Sequence, residues 1–139
     1  MVINQIELTQ TVLLLPLIFI EVYLFSLGAT LFLSAAFVKY RDVGYIWDVV
    51  LQAGFYLTPI LYPLTLITNE TFQKLIMINP MAQAIQDARY AAVTELSPTI
   101  SSVFDGGLYQ LIPYSIVILT LVGGLFYFRK ESKYFAENI

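Results

Sequence analysis

Apolar residues fall into three long blocks along this chain, and most of the polar ones gather between them. The first block, residues 11–38, carries one charge, Glu21. The second runs over about 49–67, and the third over 108–128 without a charge. A spanning helix needs about 20 predominantly apolar residues. All three blocks meet that need, the first with length to spare for tilt. Spans are therefore expected at about 11–38, 45–67 and 108–128. Nothing basic precedes the first block, and its apolar part exceeds the ~7–15 residues of a signal-peptide core.

The second block contains its own contradiction. The stretch "LTPILYP" holds Pro59 and Pro63. A proline inside a helix removes a hydrogen bond and clashes with the carbonyl four residues back, at a cost of ~3 kcal/mol or more. In a membrane such a break is tolerated where neighbouring protein or cavity water satisfies the freed carbonyls. The second span is expected to bend at Pro59, in the outer leaflet, and to face protein or water there.

About 40 residues separate the second and third blocks, which is too long for a structureless connection in a compact domain. "NETFQKLIMI" reads as a short helix over 69–78, and "PMAQAIQDARYAAVTEL" as a second over 80–96. Asn79 is a good N-cap, and Pro80 suits the first helical position. Gln83, Asp87, Tyr90 and Thr94 recur at helical spacing as a polar face, and Ala84, Ile85, Ala88 and Ala92 as a small apolar one. The two helices are too short and mixed to cross a bilayer, so they read as interfacial or re-entrant. "DGG", ending at Gly107, turns the chain into the third span.

Composition agrees with a membrane protein. Of 139 residues, 58% are hydrophobic and only 12% charged, against about 25% charged in an ordinary soluble domain. The fold class is all-α, one membrane domain over 1–139. The net charge of −3 and the lack of a basic cluster argue against nucleic acid as a partner. There is no histidine and no cysteine, which removes the usual zinc ligands and the usual bases and nucleophiles of hydrolytic catalysis. No constellation of residues suggests an enzyme, a metal site or a cofactor bound by this chain.

Lys and Arg set the orientation. The link after the first span holds Lys39 and Arg41, and the tail over 129–139 holds Arg129, Lys130 and Lys133. The 68–107 segment holds only Lys74 and Arg89. With three crossings, link and tail share a side, and their basic excess makes that side cytoplasmic. Tyr40, Tyr45 and Trp47, and again Tyr127, Phe128, Tyr134 and Phe135, flank the inner interface as belt aromatics do.

A few polar residues stand out inside this frame. Glu21 lies in mid-span, where an acid costs ~2.5–3.5 kcal/mol on insertion scales and usually faces a bundle interior or a water-filled cavity. Gly28 and Ala35 follow at heptad spacing, so the three share a face suited to close helix packing or to a pore. Glu21 is either a packing residue or a functional one. No further acid is evident at its depth, which argues against a proton relay. Asp48 begins the second span, where a helix dipole favours it. Arg89 has two readings, a bound phosphate or acidic sugar, or a carboxylate of the same outer segment. Gly123 and Gly124 invite close approach of a neighbouring helix.

The stretches "LFLSAAFVKYRDVGYIWDVVLQAGFYLTPILYP", "INPMAQAIQDARYAAV" and "FYFRKESKYFAENI" together resemble the C-terminal half of a type-2 ABC exporter permease, in the group that exports O-antigen, capsule or teichoic-acid polymers. The matching motifs are Arg41-Asp42 after a span, Thr58-Pro59-Ile60 with Tyr62-Pro63, an Asn79-Pro80 helix with Arg89 in its second half, and Phe135-Ala136-Glu137 in the tail. The resemblance covers about residues 14–139 and only the last three of six spans. It implies a fragment, a split gene product or a truncated frame that does not transport by itself.

The resemblance also implies partners and roles. The partners are a cytoplasmic ABC ATPase that binds ATP and Mg, a second permease copy, the N-terminal permease half, membrane lipids and a lipid-linked glycan. The place is the cytoplasmic membrane of a bacterium or archaeon. The substrate path or outer gate falls on Phe55, Tyr56, Thr58, Pro59, Tyr62, Pro63, Asn79, Pro80 and Arg89, with the aromatics stacking on sugar rings or serving as ordinary belt residues. The cytoplasmic interface falls on Lys39, Arg41 and Asp42. The alternative is a small standalone three-span protein that scaffolds a larger membrane complex.

Overall fold

The computed structural model describes residues 10–40, 42–94, 96–104 and 107–134. Everything regular among them is helical. The α-helices are α1 (Leu15–Lys39), α2 (Val43–Leu57), α3 (Glu70–Met77), α4 (Pro80–Ala92), α5 (Ile100–Val103) and α6 (Leu111–Glu131). Short 3₁₀ turns at Gln10–Leu14 and Leu108–Gln110 lead into α1 and α6. With those turns, the apolar helical stretches Val12–Lys39 and Leu108–Glu131 are long enough to cross a membrane. At 1.5 Å per residue, α2 reaches only about 22 Å.

α1 and α6 run side by side in the same direction and form the body of the molecule. At one end Lys39 Nζ meets Glu131 at 3.4 Å. Further along, Phe32 and Tyr127 pack with ring centroids 5.0 Å apart. In between, Gly28 and Gly124 let the backbones touch. A Cβ added at Gly28 would lie 2.6 Å from the Leu121 backbone, and one at Gly124 would overlap the Gly28 carbonyl. Ala35, 0% exposed, continues the same seam. The expected small-residue face is therefore real, and its partner is α6. Gly123, by contrast, would meet nothing within 4 Å, so only one of the two adjacent glycines serves the crossing.

The second span differs from expectation. α2 does not bend at Pro59 and run on to residue 67; it stops at Leu57. Proline crowds the residue before it out of the α region, and Thr58 is accordingly extended, with φ −90° and ψ 127°. The prolines end the helix rather than kink it. No residue of α2 is buried.

The segment after α2 folds into a cap. Asn69 opens α3 by accepting from the N–H groups of Thr71 at 2.9 Å and Phe72 at 3.4 Å. Asn79 opens α4 by accepting from the Met81 N–H at 3.0 Å, with Pro80 at the first position. Both caps stand where the residue types place them. α4 ends at Ala92, four residues before the expected end, and α5 is a single turn that hydrophobic spacing does not announce. It exists through a capping box between Thr99 and Ser102. Leu64, Met77 and Ile100 form the cap's own apolar core. α4 lies against α1, the Gln10–Leu14 turn and α6, and so joins the cap to the body.

Candidate functional site: the proline break and a buried polar cluster

Where α2 ends, α4 takes over the broken backbone. The Pro59 carbonyl accepts from Gln86 Nε2 and Arg89 Nη2, both at 3.4 Å. The Ile60 carbonyl accepts from the same Arg89 nitrogen at 3.1 Å. Asn79 Nδ2 donates to Thr58 Oγ1 at 3.5 Å. Thr58 and Pro59 are buried. The carbonyls of the extended segment after α2 thus find side-chain donors, as burial of a polar group requires. Bonds from a charged donor such as Arg89 are worth ~1.5–3 kcal/mol. Arg89 is committed to carbonyls and, among the described residues, forms no ion pair with a carboxylate.

Of the residues singled out in sequence, Thr58, Pro59, Asn79 and Arg89 come together in this clamp. Pro80 is buried at the start of α4. Tyr62 donates its hydroxyl to the Tyr56 carbonyl at 3.3 Å, folding the segment back on the end of α2. Pro63 is exposed and precedes the Leu64–Leu66 turn. Phe55 and Tyr56 pack edge to face at 5.6 Å but remain exposed, outside the clamp. Lys39 pairs with Glu131 at the far end of the body. Asp42 precedes α2 without a side-chain cap bond. Arg41 and the Phe135-Ala136-Glu137 motif lie outside the described residues.

A second constellation sits on the other side of α4. Gln83 and Gln86, both 0% exposed, turn the polar face of the helix into the protein. Gln83 Nε2 donates to Asp87 Oδ2 at 2.6 Å and to the Tyr114 hydroxyl of α6 at 3.1 Å. Glu21 of α1 lies beside Gln83 and close enough to Asp87 for their charges to interact. Asp87 Oδ1 accepts from the Ile100 N–H at 3.4 Å. Burial pushes the Asp87 carboxyl above its usual range, with the bonds from Gln83 and Ile100 working against that rise. Glu21 Oε1, Gln83 Oε1 and Gln86 Oε1 are buried without a hydrogen-bond partner among the described residues.

Beside the cluster lies a cavity of about 640 Å³. Glu21, Asp87, Tyr90, Thr99 and Tyr114 give it a polar end, and apolar side chains of α1, α5 and α6 line much of the rest. Sequence spacing put Gln83 and Asp87 on one face but held them in an outer segment. It gave no sign that this face docks on Glu21, so the second acid beside Glu21 was missed. Among the described residues, no group of acids and histidines could hold a metal ion.

The all-helical architecture with apolar spanning helices agrees with what comparison with known proteins shows. Residues 2–93 match the family described as ABC-2 type transporter. This chain belongs to that family. The ABC-2 chain is also 30% identical over 132 residues to the O-antigen export system permease protein RfbA of Myxococcus xanthus. The aligned part covers 94% of this chain and 48% of that relative, so the chain spans about half the relative's length. No solved structure matches it. An ABC-2 permease is the membrane transport subunit of its exporter, and an ABC ATPase is its general partner.

Proposed function

We propose that this chain is the C-terminal portion of the permease subunit of an ABC exporter that moves a lipid-linked polysaccharide out across the cytoplasmic membrane. It spans the inner membrane of a bacterium or archaeon more than once. It pairs with a second permease copy and with the remaining permease half, and a separate ATPase that binds ATP and Mg supplies the energy. Its basic ends, with Lys39, Arg41 and Asp42 in the first link, face the cytoplasm and the ATPase. The cap of α3, α4 and α5 lies in the outer leaflet.

One observation carries the gate part of this reading. The backbone after α2 is non-helical, yet α4 satisfies it through Asn79, Gln86 and Arg89. Irregular backbone at membrane depth is tolerated where protein or a water-filled path covers it. Such a hinge, held by side chains instead of its own helix, opens and closes without exposing carbonyls to lipid. Phe55, Tyr56 and Tyr62 stand beside it as stacking surfaces for sugar rings, with the Thr58 hydroxyl as a polar contact. The polysaccharide substrate draws support from the relative, which is named for O-antigen export.

The test is in the native organism. An affinity-tagged chain is expected to co-purify an ABC ATPase from solubilised membranes. Deleting its gene is expected to deplete surface glycan while lipid-linked polymer accumulates inside. Unchanged surface glycan and no co-purified ATPase would sink this reading in favour of an accessory scaffold.

A further inference from the structure

We propose that Glu21, Gln83, Asp87 and Tyr114 form a binding site for one proton, shared between the two carboxyl groups across the buried Gln83 amide. The hydrogen-bond inventory points there first. A single amide NH₂ has two hydrogens, and Gln83 Nε2 spends both, on Asp87 Oδ2 and on the Tyr114 hydroxyl. Meanwhile Glu21 Oε1 and Gln83 Oε1, both buried, accept from nothing among the described residues. The cluster has more acceptors than donors. One proton on either carboxyl converts an acceptor into a donor and narrows that deficit.

Charge gives the same answer independently. Among the described residues, the titratable groups that line the cavity are Glu21 from α1, Asp87 and Tyr90 from α4, and Tyr114 from α6. From the α5 side come Thr99, Ile100 and Ser101, and among the described residues no basic side chain lines the cavity. Arg89 is bound to the Pro59 and Ile60 carbonyls, and Lys39 sits with Glu131 at the opposite end of α1. Two carboxylates in one apolar site with no cation do not both ionise readily, so the second holds its proton. The pair titrates as a unit, not as two separate acids.

The placement gives the proton something to act on. α4 carries Asp87 and also Gln86 and Arg89, which hold the broken end of α2. Loss of the shared proton leaves two like charges between α1 and α4 and pushes α4 from the body. The clamp on Pro59 and Ile60 moves with it. The proton is thus a latch on the hinge.

Infrared titration of the purified chain in zwitterionic-lipid nanodiscs tests this directly. The wild type is expected to show one protonated-carboxyl C=O band near neutral pH, equivalent to one carboxyl per chain, that vanishes as pH rises. In Glu21→Gln and in Asp87→Asn the midpoint is expected to fall, since each removes the like-charged neighbour while the remaining acid stays buried. Tyr114→Phe keeps both acids and is expected to shift the band's frequency without removing it. Circular dichroism confirms that each variant is folded. Absence of the band in the wild type overturns the proposal. So does a midpoint unmoved in both acid variants, or a band displaced by sodium at constant pH, which marks a metal-cation site instead.

Discussion

Adding one methyl group at Gly28 is the sharpest probe of the membrane body, because the structure supplies its own control. The Cβ of Gly28→Ala would lie 2.6 Å from both Leu121 Cα and Leu121 N, and 2.7 Å from the Thr120 carbonyl carbon. These are backbone atoms of α6 and cannot swing aside as a side chain does. Restoring ordinary contact needs α1 and α6 to part by about 1 Å, which forfeits a quarter to a half of each dispersion contact along the seam. Overpacking of this kind costs ~1–3 kcal/mol, and unyielding backbone puts Gly28 at the upper end. Alanine's better helix propensity returns about 1 kcal/mol. The net expectation is a loss of about 2 kcal/mol, with Gly28→Leu worse. Gly123→Ala receives the same propensity gain and, with open space around it, is expected to be neutral or stabilising by up to ~1 kcal/mol. The assay is equilibrium unfolding in mixed micelles, read by Trp47, the one tryptophan, which lines the apolar groove beside this seam. Equal stability of the two alanine variants would refute the close crossing of α1 and α6.

Two further outcomes follow from the clamp and from the basic-residue asymmetry. Arg89→Ala leaves the Ile60 carbonyl without its donor and the Pro59 carbonyl with Gln86 alone, so amide exchange at residues 60–62 and in α4 is expected to quicken several-fold. Arg89→Lys is expected to recover only part of this, because an ammonium lacks the planar fork, and unchanged exchange in Arg89→Ala would remove Arg89 from the clamp. In whole cells, Glu70→Cys is expected to react with an impermeant thiol reagent, and Lys133→Cys only after permeabilisation. Labelling of Lys133→Cys from outside would invert the orientation.

Much of this architecture was legible in the sequence because its causes are local. Apolar run length placed α1 and α6, since a long uninterrupted block has few other uses. Asn79-Pro80 placed the start of α4, since the cap bond and the missing proline N–H are settled within three residues. The small-residue stripe of Gly28 and Ala35 announced a close helix contact, though not which of Gly123 and Gly124 would meet it. The end of α2 was misplaced for a physical reason. Apolar content continued through residue 67, and hydropathy cannot distinguish a helix from an extended segment whose carbonyls are satisfied by another element. The conformational pressure on Thr58 from Pro59 was the local signal that a stop, not a bend, was to follow.

The polar cluster was not legible, and the reason is instructive about membrane chains. Gln83, Gln86, Asp87 and Arg89 fall within seven residues of one helix, and sequence alone suggests a wet surface for them. Here three neighbouring elements claim different sides of α4. Gln86 and Arg89 answer the carbonyls of Pro59 and Ile60, left open where the helix stops, while Gln83 and Asp87 lie against Glu21 and Tyr114. Each polar residue is individually costly to bury, and each becomes tolerable only because of a break or a charge far away in sequence. The prolines and Glu21, taken one at a time, look like local defects in apolar spans. They are the two ends of one arrangement, in which a polar helix fits into the body because both places that receive it are polar.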